Sequence, residues 1–302
     1  MTLLPLTPTT PVLRKKAAYE EISPEKVLSI LGSPAVQAGV LEAWRFVETD
    51  VPIQEQIAGL RKHIADNQPF WNLYVGLAYT AQVLQPRTYL EIGVRTGCSM
   101  VQVLAHSCLQ GVVGVDLWTG NYADLPNTLA YAKKQIENFC RKTGRTVPVH
   151  LMQGDSHQIL KQLIQAQCRF DLITVDGDHF EKGAWEDLID ARALLADRGA
   201  IVFDDIVHPA FPFLMDVAKR FVRSFPEFQI LMNSTQDNGC AILLKGIEAA
   251  DFLRLESDQQ EPKNHLKVAE EYVKNGMMIQ ESSAFAEAIG QVIREYRPKK
   301  IL

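Results

Sequence analysis

Five short apolar runs in this 302-residue sequence carry acidic residues at or just beyond their ends. Glu91-Ile-Gly93-Val-Arg-Thr-Gly97-Cys-Ser99 closes the first, Asp116 follows the second and Gly154-Asp155-Ser156 the third. Asp176-Gly-Asp178-His179 follows the fourth, and Asp204-Asp205 the fifth. Carboxylates accept hydrogen bonds from hydroxyls, pair with cations or take up protons, and imidazole titrates near neutral pH. Glycine at 93 and 97 lets the backbone turn tightly and approach a ligand, and the helix N-terminus that follows favours an anionic group. The plain alternative is that these acids cap the next helices, which accounts for one or two positions more readily than for five.

The glycine spacing separates two nucleotide readings. A dinucleotide fingerprint wants glycine, any residue, glycine, then a third glycine three residues on. Here Glu91 holds the first position, and Gly93 and Gly97 stand four apart. An acid repels a pyrophosphate and attracts an ammonium, which disfavours nicotinamide and favours S-adenosylmethionine. Asp116 is placed to accept hydrogen bonds from ribose hydroxyls.

The elements that must position these residues alternate between strand and helix. Strands are expected over Thr88 to Ile92, Val112 to Val115, Val149 to Met152, Leu172 to Val175 and Ala200 to Phe203. Helical spacings lie between them, as in Leu129, Ala132, Ile136 and Phe139. That alternation predicts an α/β fold with a parallel sheet covered on both faces. Gln229 to Met232 and Ala241 to Lys245 are joined by a segment too short for a helical crossover, so they should pair antiparallel. Ahead of the sheet, Ser23-Pro24-Glu25 reads as a helix start, and Val36 to Val47, Ile53 to Ile64 and Phe70 to Leu84 have helical apolar spacing. Two further helical stretches lie near His265 to Lys274 and Ser283 to Tyr296.

Taken together, the glycine turn, the acid after the second strand and the closing hairpin resemble a class I S-adenosylmethionine-dependent methyltransferase over roughly residues 70–245. Asp116-Leu-Trp118-Thr-Gly120, Val175-Asp-Gly-Asp-His179 and Phe203-Asp-Asp205 resemble, more narrowly, the metal-dependent macrocin-type O-methyltransferases. The resemblance implies a Rossmann-like, mostly parallel seven-stranded sheet with a C-terminal antiparallel hairpin and helical additions at both ends. It implies cofactor contacts at Glu91, Gly93, Gly97, Ser99, Asp116, Trp118, Asp155, Ser156 and Asp176, and Mg²⁺ ligands at Asp176, Asp204 and Asp205. Magnesium prefers an octahedron of oxygens, and carboxylates at neighbouring strand ends can supply part of one. A metal there would orient the acceptor and lower its hydroxyl pKa. His179 stands where relatives present a catalytic base, Asp178 is the competing base, and a third reading has His179 only capping the next helix. Trp118 and Tyr122 could close over cofactor or acceptor, His208 could face the substrate, and Ser156 and His157 fall where such enzymes meet adenine.

The expected reaction is methylation of a small-molecule hydroxyl, on a sugar or natural product. The alternatives are a metal-independent methyltransferase, a nicotinamide-dependent oxidoreductase and a non-catalytic cofactor-binding scaffold. Lysine and arginine total 31 against 36 acids, a formal charge of −5, which argues against a nucleic-acid surface. The leading segment is interrupted by Pro5, Pro8 and Pro11, and no run is long enough for a membrane span, so neither a signal peptide nor a membrane partner is expected. Five cysteines without a CxxC pair read as reduced thiols of a cytoplasmic protein. Residues 1–84 are expected to form a helical substrate-recognition region, 85–245 the catalytic domain and 246–302 a helical extension. The terminal helices, and the loops Asn121 to Asn127 and His208 to Pro212, would serve acceptor recognition, with the helices also open to homo-oligomer contact.

Overall fold

A computed structural model of the chain describes residues 23–122 and 125–254, and for residues 121, 122, 125, 126 and 254 the backbone alone. The C-terminal helical stretches expected near His265 and Ser283 lie outside these residues, as does the side chain of Tyr122.

Four helices come first: α1 (Pro24–Leu31), α2 (Pro34–Trp44), α3 (Val51–Ala65) and α4 (Leu73–Leu84). Side-chain caps start three of them. Ser23, Asp50 and Asn72 accept from the amides of Lys26, Ile53 and Val75 at 3.3, 3.1 and 3.1 Å, satisfying donors that have no partner inside the helix. The alternating region then runs β1 (Thr88–Ile92), α5 (Cys98–His106), β2 (Gly111–Asp116), β3 (Gly120–Tyr122), β4 (Leu125–Asn127) and α6 (Leu129–Thr143). It continues through β5 (Val149–Gln153), α7 (Ser156–Gln165), β6 (Phe170–Val175), α8 (Glu181–Leu194) and β7 (Leu195–Asp204). α9 (Leu214–Ser224), β8 (Phe228–Asn233), β9 (Cys240–Lys245) and α10 (Ala249–Arg254) complete the described elements.

Seven strands form one sheet in the order β5-β2-β1-β6-β7-β9-β8. The first five are parallel, and β9 pairs antiparallel with both β7 and β8. This is the Rossmann-like architecture with a C-terminal antiparallel pair. Strand residues alternate between two cores: Tyr89, Leu172 and Val202 face α1 to α6, while Leu90, Ile173 and Ile201 face α7 to α9. The leading helices share the first of these cores with the sheet, through Leu31, Val40, Leu60 and Leu77. The segment expected as a loop over Asn121 to Asn127 is instead a two-stranded ribbon of β3 and β4. Among the described residues, no single helix is long and apolar enough to cross a membrane.

The strand order reverses at β1, which has β2 on one side and β6 on the other. Connections leave in opposite directions there, so a crevice opens beyond the carboxyl ends of β1 and β6, where open α/β sheets bind ligands.

Candidate active site

The glycine turn forms one wall of the crevice. Gly93 has φ +88°, and a Cβ added there would lie 1.8 Å from the carbonyl oxygen of Asp176. Only glycine lets the ends of β1 and β6 approach this closely. Gly97, at φ +83°, opens α5, which has no side-chain cap. The first amides of that helix are therefore available to an anionic group. Asp116 braces the same turn: its carboxylate accepts from the amides of Arg95 at 2.8 Å and Trp118 at 2.7 Å. The buried Trp118 indole in turn donates to the Arg95 carbonyl at 2.9 Å. Each Asp116 oxygen keeps lone-pair capacity for a hydroxyl donor. Trp118 is a packed strut of the turn.

Glu91 differs in setting from the open acid expected. It has no exposed surface and receives hydrogen bonds from Ser99 and, at 3.1 Å, from the Tyr89 hydroxyl. Burial pushes its pKa up to about 8 despite both bonds, so the carboxyl is mostly neutral near neutral pH.

The opposite wall brings together Asp176, His179 and Asp205, whose ligand atoms lie within 4.8 Å of one another. His179 Nε2 is 3.4 Å from Asp176 Oδ1 and 3.0 Å from Asp205 Oδ2. Burial disfavours the imidazolium, but the two carboxylates outweigh it and raise its pKa to about 11. Burial and Asp205 raise the pKa of Asp176, while His179 lowers it. Asp204 stands outside this trio, yet burial and then the charges of Asp176 and Asp205 hold its pKa well above the carboxylate range. Asp205 itself adopts φ +58°, which turns its carboxylate toward His179. The His179 ring lies against Phe211, with centroids 4.9 Å apart. Crowded carboxylates raising one another's pKa, beside an imidazole nitrogen, form a donor set that fits a hard divalent cation.

The remaining predicted residues have other partners. Asp178 points away from the trio: it accepts from the Phe180 amide at 2.8 Å and lies 3.6 Å from His157 Nε2. Asp155 caps α7, accepting from the amide of His157 and the side chain of Gln158, each at 3.0 Å. Ser156 donates to Asp187 at 2.9 Å. His208 closes its own turn by accepting from the Ala210 amide at 3.1 Å.

Three residues here escaped the sequence reading. Arg95 sits inside the glycine turn at φ +49° and reaches Asp50 at 3.4 Å, linking the turn to the start of α3. Tyr89 bonds Glu91 and Thr174. Asp187 is completely buried in α8 among Ala184, Leu188 and Ala191. That last one had a signal, an acid at a core-facing position of a helical pattern; the other two had none in spacing.

Residues 90–206 match the family model described as a methyltransferase domain. The chain is 31% identical over 130 residues to the O-methyltransferase ankF of Aspergillus thermomutatus, covering 43% of this chain and 50% of that protein. The chain thus spans half the length of that curated relative. Among solved structures, a methyltransferase from Geobacter sulfurreducens is similar at TM-score 0.43 and 18% identity, over 66% of this chain and 90% of its own. An O-methyltransferase from Bacillus cereus in complex with S-adenosylhomocysteine is similar at TM-score 0.46 and 18% identity, over 69% and 97%.

Proposed function

We propose that this chain, whose residues 90–206 match the model of a methyltransferase domain, moves a methyl group from S-adenosylmethionine to a hydroxyl oxygen of a small molecule. The observation that carries the reading is the contact of Gly93 with Asp176, which sets the glycine turn directly against the acid–histidine wall. A ligand held by one wall is then within reach of groups on the other.

The cofactor fits the first wall. The uncapped start of α5 suits the methionine carboxylate, and the remaining lone pairs of Asp116 suit ribose hydroxyls. When bound, S-adenosylmethionine supplies a sulfonium-activated methyl group. Of this chain's residues, His179 Nε2 takes the hydroxyl proton, in the neutral form of its ring; its carboxylate partners keep that form scarce below a pKa of about 11, so turnover should rise with pH. Asp205 at 3.0 Å and Asp176 at 3.4 Å stabilise the imidazolium that results. Phe211 fixes the ring plane. Asp178 is occupied at the start of α8, which favours His179 as the base.

A divalent cation, Mg²⁺ in our reading, would be held by Asp176 and Asp205 with Asp204 beside them, and would supply Lewis-acid polarisation of the acceptor oxygen. A second, metal-independent reading is favoured by one observation: His179 already pairs with both carboxylates of the trio. The acceptor is proposed to be a sugar or natural-product hydroxyl, and the protein cytoplasmic, without nucleic-acid or membrane partners. A homo-oligomer through the terminal helices is proposed from the sequence alone.

Calorimetry with S-adenosylhomocysteine, followed by homocysteine-release assays over sugar and phenol acceptors with and without EDTA, tests the reading. Saturable binding and acceptor-dependent release support it. Absence of S-adenosylhomocysteine binding would overturn it, and full turnover in EDTA would select the metal-independent form.

A further inference from the structure

We infer that Asp187 is a positioning residue that ties the cofactor-side turn after β5 to the acid–histidine turn after β6. The functional half of this inference rests on the methyl-transfer reading. Asp187 lies on the core-facing row of α8 and is 0% exposed, where an apolar side chain would ordinarily sit. A carboxylate is retained in such a place only when donors surround it. Its Oδ1 accepts from Ser156 Oγ at 2.9 Å and lies 3.2 Å from His157 Nδ1. Its Oδ2 accepts from the Asp178 amide at 3.3 Å.

Ser156 and His157 open α7 at the end of β5, whereas Asp178 follows β6. Those strands are not neighbours, because β2 and β1 lie between them. Among the described residues, no backbone hydrogen bond joins the two turns directly. One buried side chain on α8 does it from below. Gly177 is shaped to the same carboxylate: a Cβ there would come within 3.0 Å of Asp187 Oδ2 and 2.9 Å of Ile92 Cγ2. The amide of Gly154 donates to the Asp116 carbonyl at 2.9 Å and the next residue after Asp178 is His179, so the separation of the Asp116 side of the crevice from the base is held through Asp187. Groups that orient others in this way act by preorganisation and touch no reacting atom.

Asp187→Asn keeps the volume but presents an amide N–H₂ to the donors of one of its two oxygens, and so breaks one arm. S-adenosylhomocysteine binding is expected to weaken about tenfold and kcat to fall about 10²-fold, with acceptor KM unchanged. Amides 154–158 and 177–180 should exchange with deuterium faster together. Affinity and kcat within about twofold of the parent protein, or faster exchange confined to α8, would overturn the inference. If Asp187→Asn does not fold, the double variant Ser156→Ala, His157→Ala cuts only the cofactor-side arm. Faster exchange at 177–180 as well as 154–158 then supports the tie, and exchange altered at 154–158 alone overturns it. Should the parent protein bind no S-adenosylhomocysteine, the methyl-transfer reading and the functional half fall together, while the exchange result still decides whether the tie exists.

Discussion

His179 and Asp205 meet at 3.0 Å, Nε2 to Oδ2, across the ends of β6 and β7. The contact needs Asp205 at φ +58°, a left-handed backbone that costs about 1–3 kcal/mol for a non-glycine residue. Such a conformation persists where its surroundings hold it, and here it delivers a carboxylate to an imidazole. If His179 is the base, His179→Ala lowers kcat by about 10²- to 10⁴-fold. Asp178→Asn, altering a group turned toward His157, lowers it far less. Steady-state turnover of the two variants checks the assignment, and the reverse ranking would transfer the role to Asp178.

Chelation should abolish turnover, and Mg²⁺ should restore it. Asp176→Asn and Asp205→Asn are each expected to raise the Mg²⁺ concentration for half-maximal rate by at least about tenfold. Asp204→Asn should act more weakly, because its carboxylate stands outside the close trio. Metal titrations of the three variants measure the order.

Gly93→Ala sets a methyl group against the Asp176 carbonyl, 1.8 Å away, at a backbone φ of +88°. The two walls must separate for it to fold. Both a lower Tm and loss of S-adenosylhomocysteine binding are expected, read by thermal denaturation and calorimetry. Gly59→Ala, inside α3 with open space around it, provides the control: binding should be unchanged and Tm should rise slightly, since Ala favours a helix interior over Gly by about 1 kcal/mol.

Glu91 gives a pH dependence of known sign. Its folded pKa of about 8 lies above the ordinary carboxylate value of 4.5 because of burial. The folded state therefore holds a proton that the unfolded state has released, and stability falls as pH rises from 4.5 to about 8. The slope within that window is at most about 1.4 kcal/mol per pH unit. Glu91→Gln, which cannot ionise, should flatten it; denaturant midpoints at about pH 5 and pH 8 make the comparison. An unchanged slope would mean that Glu91 is ionised in the folded protein.

His157 carries a dependence of the same sign at higher pH. Contact with Asp187 raises its pKa to about 9, against desolvation. The stability it contributes is present below its unfolded value of 6.5 and is lost as pH rises through 9. His157→Gln should remove that alkaline loss, measured by unfolding midpoints across the same range.

Much of the architecture was legible in order and in kind, because it is written in local periodicity. Short β-rich runs such as Val112 to Val115 can only be strands, and the short link after Asn233 permits only an antiparallel partner. Glycines 93 and 97 announced a turn, and both adopt positive φ. The ribbon of β3 and β4 was not legible, since three-residue strands around Pro126 carry no periodic signal.

What the sequence by itself determined was which residue types stand at the strand ends: five acidic positions, a glycine turn and His179. Their orientation was decided by tertiary structure. Glu91 and Asp116 both looked like open acids, yet one is buried on Ser99 and Tyr89 and the other braces Arg95 and Trp118. Asp178 and His179 are adjacent in sequence but face different partners, Phe180 and His157 for one, Asp176 and Asp205 for the other. The reason is physical: a carboxylate goes where unsatisfied donors and charges lie, and those come from strands and helices distant in the chain. Spacing reports the local backbone, whereas the role of each acid follows from neighbours that only folding supplies.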